Sequence, residues 1–316
     1  MNFELSEEQK MIQQSVERFV QENYDLPKRV ELSSQDPGYS KDYWNSMAEL
    51  GWLGLPFTEE VGGFGGNQID TLVIMEQFGK GLVLEPFLAN IVLGGGAIQM
   101  GGSEELKNEM LSSLIEGSKQ ITLAYAEQQS RFDLEDVATS ARKEGEKYII
   151  NGQKSMVLNA ESADHLVVVT RTNGSQVDEE GITLFLVDSD SKGLERNNFP
   201  TVDGLRASEI TFDNVEVNSE RMIGDPDKGF SILRTITNNA ILALCAEAVG
   251  AMEVLYKDTV EYTQQREQFD QPLSDFQVLQ HRMVDMFMEY EQCKSLLFRA
   301  TMETIQDPIM AQRTIH

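Results

Sequence analysis

The sequence predicts an α+β protein with an N-terminal helical domain (residues 1–119), a central antiparallel β domain (120–226) and a C-terminal helical bundle (227–316). Three observations carry this. Apolar residues recur at helical spacing through the first third, the period shortens to strand-like runs near Gln120, and the helical period returns from about Asp227.

In the first segment, Ser6 with Gln9 three positions on forms a capping box, and Ile12, Val16, Phe19 and Val20 follow on one helical face. A second helix runs from about Tyr43 to Leu50 and stops at Gly51. The loop 56–66 carries Gly62, Gly63, Gly65 and Gly66 ahead of a third helix around 72–78. This glycine run lacks both a preceding buried strand and the spacing of a dinucleotide fingerprint, so it reads as a tight helix connection. Ser103 caps a further helix bearing Leu106, Met110, Leu111 and Leu114, closed by Gly117.

The β domain is predicted from β-branched or aromatic runs at 121–126, 148–150, 155–158, 165–170, 182–187 and 209–212, with Asn151-Gly152 as a hairpin signal. Beyond it, Ile241, Leu242, Leu244, Cys245, Ala248, Val249, Met252 and Leu255 form a broad apolar stripe. A second long helix from about Ser274 carries Phe276, Leu279, Met283, Met286 and Phe287, and two such helices pack antiparallel in a bundle. The methionines read as core filler.

Composition excludes several classes. Lys plus Arg number 26 against 52 Asp plus Glu, and the net charge of −26 opposes nucleic acid and anionic membrane surfaces. No basic, apolar leader opens the chain and no stretch is expected to span a membrane, so a cytoplasmic location is expected. Cys245 and Cys293 sit in apolar helical stretches and read as small hydrophobes. His165, His281 and His316 have no second ligand at metal-binding spacing, so no metal site is predicted.

Four motifs give the chain a family resemblance. Glu49-Leu50-Gly51-Trp52-Leu53-Gly54-Leu55-Pro56, followed by Glu59-Glu60-Val61-Gly62-Gly63, looks like the N-terminal signature of acyl-CoA dehydrogenases. Tyr148-Ile149-Ile150-Asn151-Gly152-Gln153-Lys154 is similar to a segment of their β domain. Gly204-Leu205-Arg206-Ala207-Ser208 with Phe212-Asp213-Asn214-Val215 resembles the stretch leading out of that domain, and Arg266-Glu267-Gln268-Phe269 with Pro272, Phe276 and Gln277 the link between the first two bundle helices. The resemblance implies FAD as cofactor, an acyl-CoA thioester as substrate, and an electron-transferring flavoprotein as acceptor. The chemistry it implies is removal of an α proton by a carboxylate with hydride transfer from the β carbon to flavin N5.

Measured against that family, the base is missing. The early position for the catalytic Glu falls at Ala240-Ile241, and the late one would fall beyond His316, since the resemblance implies a bundle truncated before its last helices, so no catalytic residue is assigned. Glu247 stands about two turns, roughly 10 Å, from the early position and reads as an ordinary helix carboxylate. The flavin face also departs from the pattern. Ala126-Glu127-Gln128-Gln129-Ser130-Arg131-Phe132-Asp133 replaces Thr-Glu-Pro-x-x-Gly-Ser-Asp, and Met156-Val157-Leu158 replaces Trp-Ile-Thr, leaving the backbone N–H groups of Val157 and Leu158 to approach a flavin.

By the same resemblance, Arg266, Phe269 and Gln277 stand where family members reach the FAD of a neighbouring subunit, with the guanidinium on the pyrophosphate. Asp270, where the family has Gly, departs from the pattern, and pairing of Arg266 with Glu261 or Glu267 is the alternative for the arginine. The expectation is the small or non-catalytic subunit of a heteromeric acyl-CoA dehydrogenase, of the steroid side-chain or pimeloyl-CoA type, with a sister subunit bringing the Glu. Two alternatives stand beside it: an autonomous homo-oligomeric dehydrogenase with a missing C-terminus, and a catalytically silent scaffold subunit. Dehydrogenase and oxidase chemistry are not separated by these residues.

Overall fold

The computed structural model describes residues 5–306 and Ile315; the first four residues and His316, used in the sequence reading, lie outside them. The chain divides into two compact units. One comprises Met1–Arg29, Gln68–Val83 and Ile241–His316, the other Val30–Asn67 and Leu84–Ala240.

The first unit is helical. α1 (Glu7–Asn23) opens on the predicted capping box: the Ser6 side chain takes the Gln9 N–H, and the Gln9 side chain returns to the Ser6 N–H. It packs on α4 (Gln68–Gly81), where Gln9 donates to Asp70 at 3.0 Å. α4 meets the long helix α7 (Phe230–Gln265) backbone to backbone. A Cβ on Gly79 would lie 1.9 Å from the Glu247 carbonyl oxygen, and one on Gly250 would lie 1.9 Å from that of Glu76, so only glycine fits at either side of this crossing. α8 (Gln277–Gln306) is tied to α4 by Lys294, whose ammonium reaches Glu76 at 2.7 Å and the Tyr290 hydroxyl at 3.1 Å.

Two expectations about α7 are corrected. An 18-residue window of it is apolar and long enough to cross a membrane, and 33% of that window is buried. The predicted stripe is also too broad: Leu242 and Val249 are buried, while Leu244, Cys245, Ala248 and Leu255 face outward. The helix is apolar well beyond the face it buries, and spacing alone does not say which part of such a helix is covered.

The second unit holds α2 (Leu26–Ser33) from Val30 onward, α3 (Lys41–Glu49), a π-helical segment (Leu88–Gly95) running into α5 (Gly96–Gly101), and α6 (Glu104–Ile115). Ser40 and Ser103 cap α3 and α6 by accepting the N–H groups of Tyr43 and Leu106. The strands are β1 (Ile121–Ala124), β2 (Ser140–Glu144), β3 (Lys147–Leu158), β4 (His165–Arg171), β5 (Ile182–Asp188), β6 (Leu194–Pro200), β7 (Arg206–Asn218) and β8 (Met222–Ile223). They form one sheet in the order β6-β7-β3-β2-β4-β5-β8, with β1 beside β4. Pairings are antiparallel except β1–β4 and a single β2–β4 bridge. Ile150, Val157, Leu166, Phe185, Phe212 and Val215 are core members of this sheet, where Tyr148 and Phe185 rings sit 4.7 Å apart.

Asn151-Gly152 is not a hairpin turn. The β2–β3 hairpin reverses at Gly145-Glu146, between the paired Glu144 and Lys147, whereas Asn151-Gly152 lies inside β3 opposite a bulge of β7 in which Asn214 sits at φ +52°. Glycine is required at 152 because a Cβ there would lie 2.6 Å from the Thr139 Cα. A second bulge inserts one residue of β3 between the pairs Lys154↔Ile210 and Val157↔Ser208, with Met156 at φ +52°.

Between β1 and β2 the chain has no ladder partner over most of residues 125–139. A buried ion pair takes that role. The Lys154 ammonium meets the Glu127 carboxylate at 2.6 Å, with side chains 0% and 3% exposed, and also donates to the Tyr125 carbonyl at 3.1 Å. Glu127 in turn accepts the N–H groups of Ala138 (2.9 Å) and Thr139 (3.0 Å) and the Gln129 amide (2.7 Å). Burial would raise the Glu127 carboxyl, but the Lys154 charge and these donors outweigh it and hold the group below the usual carboxylate range. Burial pushes the Lys154 ammonium down to about 8, against the pull of Glu127.

Removing one partner of such a pair strands the other charge, so Lys154→Met is expected to cost about 3–5 kcal/mol in urea unfolding, and the double variant Lys154→Met/Glu127→Gln less. Glu127 titrates lower folded than the ordinary 4.5, so its contribution is complete above that value and is lost as the pH falls through the folded one. Lys154, at about 8 against an ordinary 10.5, adds stability with rising pH between those values. Accordingly, the stability gap between the parent chain and Glu127→Gln narrows below about pH 4.5, as read from urea midpoints across pH.

Candidate functional site

Three of the five residues assigned to flavin by resemblance lie at the junction of α7 and α8. The chain leaves α7 through Arg266, forms a two-stranded hairpin of β9 (Glu267–Gln268) and β10 (Gln271–Pro272), and enters α8 at Gln277. Phe269 and Asp270, the two residues of the turn, both adopt positive φ, +57° and +62°. That is the mark of a type I′ hairpin, where Asn-Gly is preferred and a bulky aromatic residue is strained. Phe269 is nonetheless 86% exposed, touching Phe276 edge-on at a centroid distance of 6.2 Å.

Arg266 is exposed and its guanidinium has no ion-pair or hydrogen-bond partner among the described residues; Glu261 instead accepts from Gln265 at 2.9 Å. The alternative pairing of Arg266 with Glu261 or Glu267 is therefore not formed. Gln277 is exposed at the start of α8. This short segment thus offers an unpaired cation, a protruding aromatic ring and a primary amide on a pinned backbone, a set suited to a diphosphate and a flat heterocycle.

Val157 and Leu158 lie in the other unit, at the end of β3. Val157 is buried and pairs with Ser208, and the Asn159 N–H donates to the Arg206 carbonyl at 2.9 Å. By ladder alternation the Val157 peptide faces β7 and that of Leu158 faces away. The Leu158 carbonyl is taken by the Thr122 hydroxyl at 2.7 Å, so its N–H is the polar group left facing that side. Nearby in sequence, Met156 is 51% exposed at the bulge and Phe132 is 96% exposed, while the Ser130 hydroxyl is engaged with Glu127's backbone. The stretch assigned to flavin by resemblance therefore offers apolar contact and little polar reach.

Ala240, at the early base position, is buried on α7, and Glu247 is half-buried on the same helix. Sequence reasoning missed Lys154 and Arg171. Alternation along β3 places Lys154 on the face of Tyr148 and Ile150, and an inward lysine at that parity was the available signal. Arg171 had none: its importance depends on which loops return to it.

Comparison with known proteins follows the same three segments. Family models described as the N-terminal, middle and C-terminal domains of acyl-CoA dehydrogenase match residues 6–118, 122–215 and 227–312. The chain is 31% identical over 306 residues to a probable acyl-CoA dehydrogenase, YngJ, of Bacillus subtilis, covering 95% of this chain and 80% of that protein. Among solved structures it resembles the Tcur3481-Tcur3483 steroid acyl-CoA dehydrogenase (TM-score 0.85, 25% identity, 95% of this chain and 79% of that one). It shares its fold with the ChsE4-ChsE5 complex from Mycobacterium tuberculosis (TM-score 0.89, 22% identity, 100% and 82%).

The strained turn yields a prediction. Replacing Phe269-Asp270 by Asn-Gly relieves two unfavourable positive-φ residues, so the chain by itself is expected to be unchanged or up to about 1 kcal/mol more stable in denaturant unfolding. A loss above that size would show that the Phe269 ring supports the fold.

Proposed function

The chain belongs to the acyl-CoA dehydrogenase family, FAD-dependent oxidoreductases acting on CH–CH bonds, and from that premise we propose that it is the non-catalytic subunit of a heteromeric member. In this reading it lends Arg266, Phe269 and Gln277 to the FAD of a sister subunit, which supplies the Glu base. The acyl-CoA is the substrate of the assembly and an electron-transferring flavoprotein its acceptor. Domain limits at 119/120 and 226/227 and a cytoplasmic location belong to the same proposal.

One observation carries it: a strained, exposed hairpin holds an arginine whose guanidinium has no partner among the described residues. Such strain persists where it serves a function. The donor set fits the phosphate end of FAD, because a fork of guanidinium N–H groups can pair two diphosphate oxygens at once. It fits the ring end less well, since Met156, Val157 and Leu158 bring no side-chain hydrogen bond and Ala240 cannot take a proton. When bound, FAD supplies the hydride acceptor. The roles left to this chain are to hold the diphosphate through Arg266, to cover an aromatic surface with Phe269, and to present an apolar wall at 156–158.

The helical unit supports association. Leu255, Tyr262, Val284, Phe287, Met288 and Leu296 of α7 and α8 are 45–61% exposed, apolar side chains that a partner could cover. Neighbours in structure include a heteromeric pair in the ChsE4-ChsE5 complex and the paired Tcur3481-Tcur3483.

The test is reconstitution with a Glu-bearing sister subunit. The pair is expected to retain FAD and reduce dye with acyl-CoA, whereas this chain alone does neither. Arg266→Ala removes charge-assisted contacts worth about 1.5–3 kcal/mol each, so FAD binding to the complex is expected to weaken about 10- to 100-fold. A yellow, active preparation of this chain by itself overturns the reading, and a complex that keeps its FAD after Arg266→Ala favours the scaffold alternative.

A further inference from the structure

Arg171 ends β4, is 9% exposed, and has no carboxylate in ion-pair contact among the described residues. Its two terminal nitrogens spend four N–H groups on backbone carbonyls of two different loops. One reaches Asp178 (2.8 Å) and Glu180 (2.7 Å); the other reaches Glu135 (2.7 Å) and Gln176 (2.8 Å). The Nε–H finds no acceptor among the described residues, and the four carbonyls of the loops set the group's orientation. Its backbone N–H adds a bond to the Thr139 carbonyl at 2.7 Å.

These loops lead to different places. Glu135 belongs to the 125–139 connection, whose other end is held by Glu127 and whose middle, 126–133, stands for the flavin-facing stretch. The 172–181 loop runs to the start of α7: Thr172 donates to the Asp227 carboxylate at 2.6 Å and the Gly181 N–H to the Asp227 carbonyl at 2.9 Å. Together with 226–234 it lines a cleft of about 640 Å³ that includes Asp178, Lys228, Phe230 and Arg234. Val137 and Gln176 add direct links between the two loops, through the Val137 N–H on the Gln176 carbonyl (3.0 Å) and the Gln176 amide on Asp136 (2.7 Å).

We propose that Arg171 is a positioning residue, a guanidinium strut that fixes the flavin-facing segment 126–139 against the 173–181 wall of this cleft. The assignment of that segment to flavin rests on the proposed function; the strut itself does not. Only a planar group with donors on two separated nitrogens can meet four carbonyls in two loops, and lysine cannot replace it.

The test is hydrogen–deuterium exchange on the full chain, alone and in the reconstituted FAD complex. Arg171→Ala is expected to speed exchange at least tenfold at 135–139 and 172–181, leaving β5 and α1 unchanged, and to shift the flavin absorption band of the complex. Millimolar guanidinium restores protection in this variant, and equal ammonium does not. Arg171→Lys, which keeps the charge and protects against outright unfolding, frees at least one of the two loops.

Exchange that rises uniformly, that stays as in the parent chain, or that ammonium rescues equally overturns the strut. An unshifted flavin band in a complex that loses FAD on Arg266→Ala overturns the link to flavin while the proposed function stands. A complex that holds no FAD sinks the proposed function, and the exchange measurements still decide the strut.

Discussion

The sheet-bearing unit depends on one buried ion pair. Lys154 and Glu127 occupy interior space that apolar side chains could fill without desolvating two charges. What the pair provides is direction. Residues 125–139 have almost no strand pairing of their own, and the carboxylate satisfies two successive amides there while the ammonium binds the carboxylate to β3. An apolar core would hold this connection near the sheet; it would not hold a particular backbone path.

Arg171 works on the outer end of the same connection with the opposite sign, donating to carbonyls where Glu127 accepts from amides. Between these two anchors the backbone is held firmly, yet the side chains it displays are phenyl and methyl groups where hydroxyls are the family pattern. The α7–α8 hairpin reverses this balance, with polar and aromatic groups displayed on a strained turn. The connection's backbone is anchored in one unit, and the hairpin's polar and aromatic groups stand exposed in the other.

Much of this was legible in the sequence because it is local. Ser6 and Ser103 act as caps, Gly51 and Gly117 terminate helices at positive φ, and five strand runs fall inside observed strands. What escaped depends on non-local geometry. Asn151-Gly152 has the composition of a turn, but the approach of Thr139 and a bulge in β7 turn it into strand interior. The π-helical segment at Leu88–Gly95 reads like any apolar helix until Gly94 is seen against the Ile121 carbonyl. At the site, residue types at 266, 269 and 277 were readable, but the positive φ of Phe269 was not, because nothing in an exposed Phe-Asp pair announces it.

The extra residue in β3 has a reach out of proportion to its size. Side chains alternate along a strand, so an inserted position exchanges the inner and outer faces of everything after it. Lys154 and Val157 point the same way only because Met156 is there to be skipped. With Met156 forced back into the regular ladder, Val157 would turn outward and Leu158 inward, inverting the end of the strand without changing the chemistry of any residue. What this point of the chain must keep is the bulge itself, since the positive φ at Met156 decides which side chains the end of β3 buries.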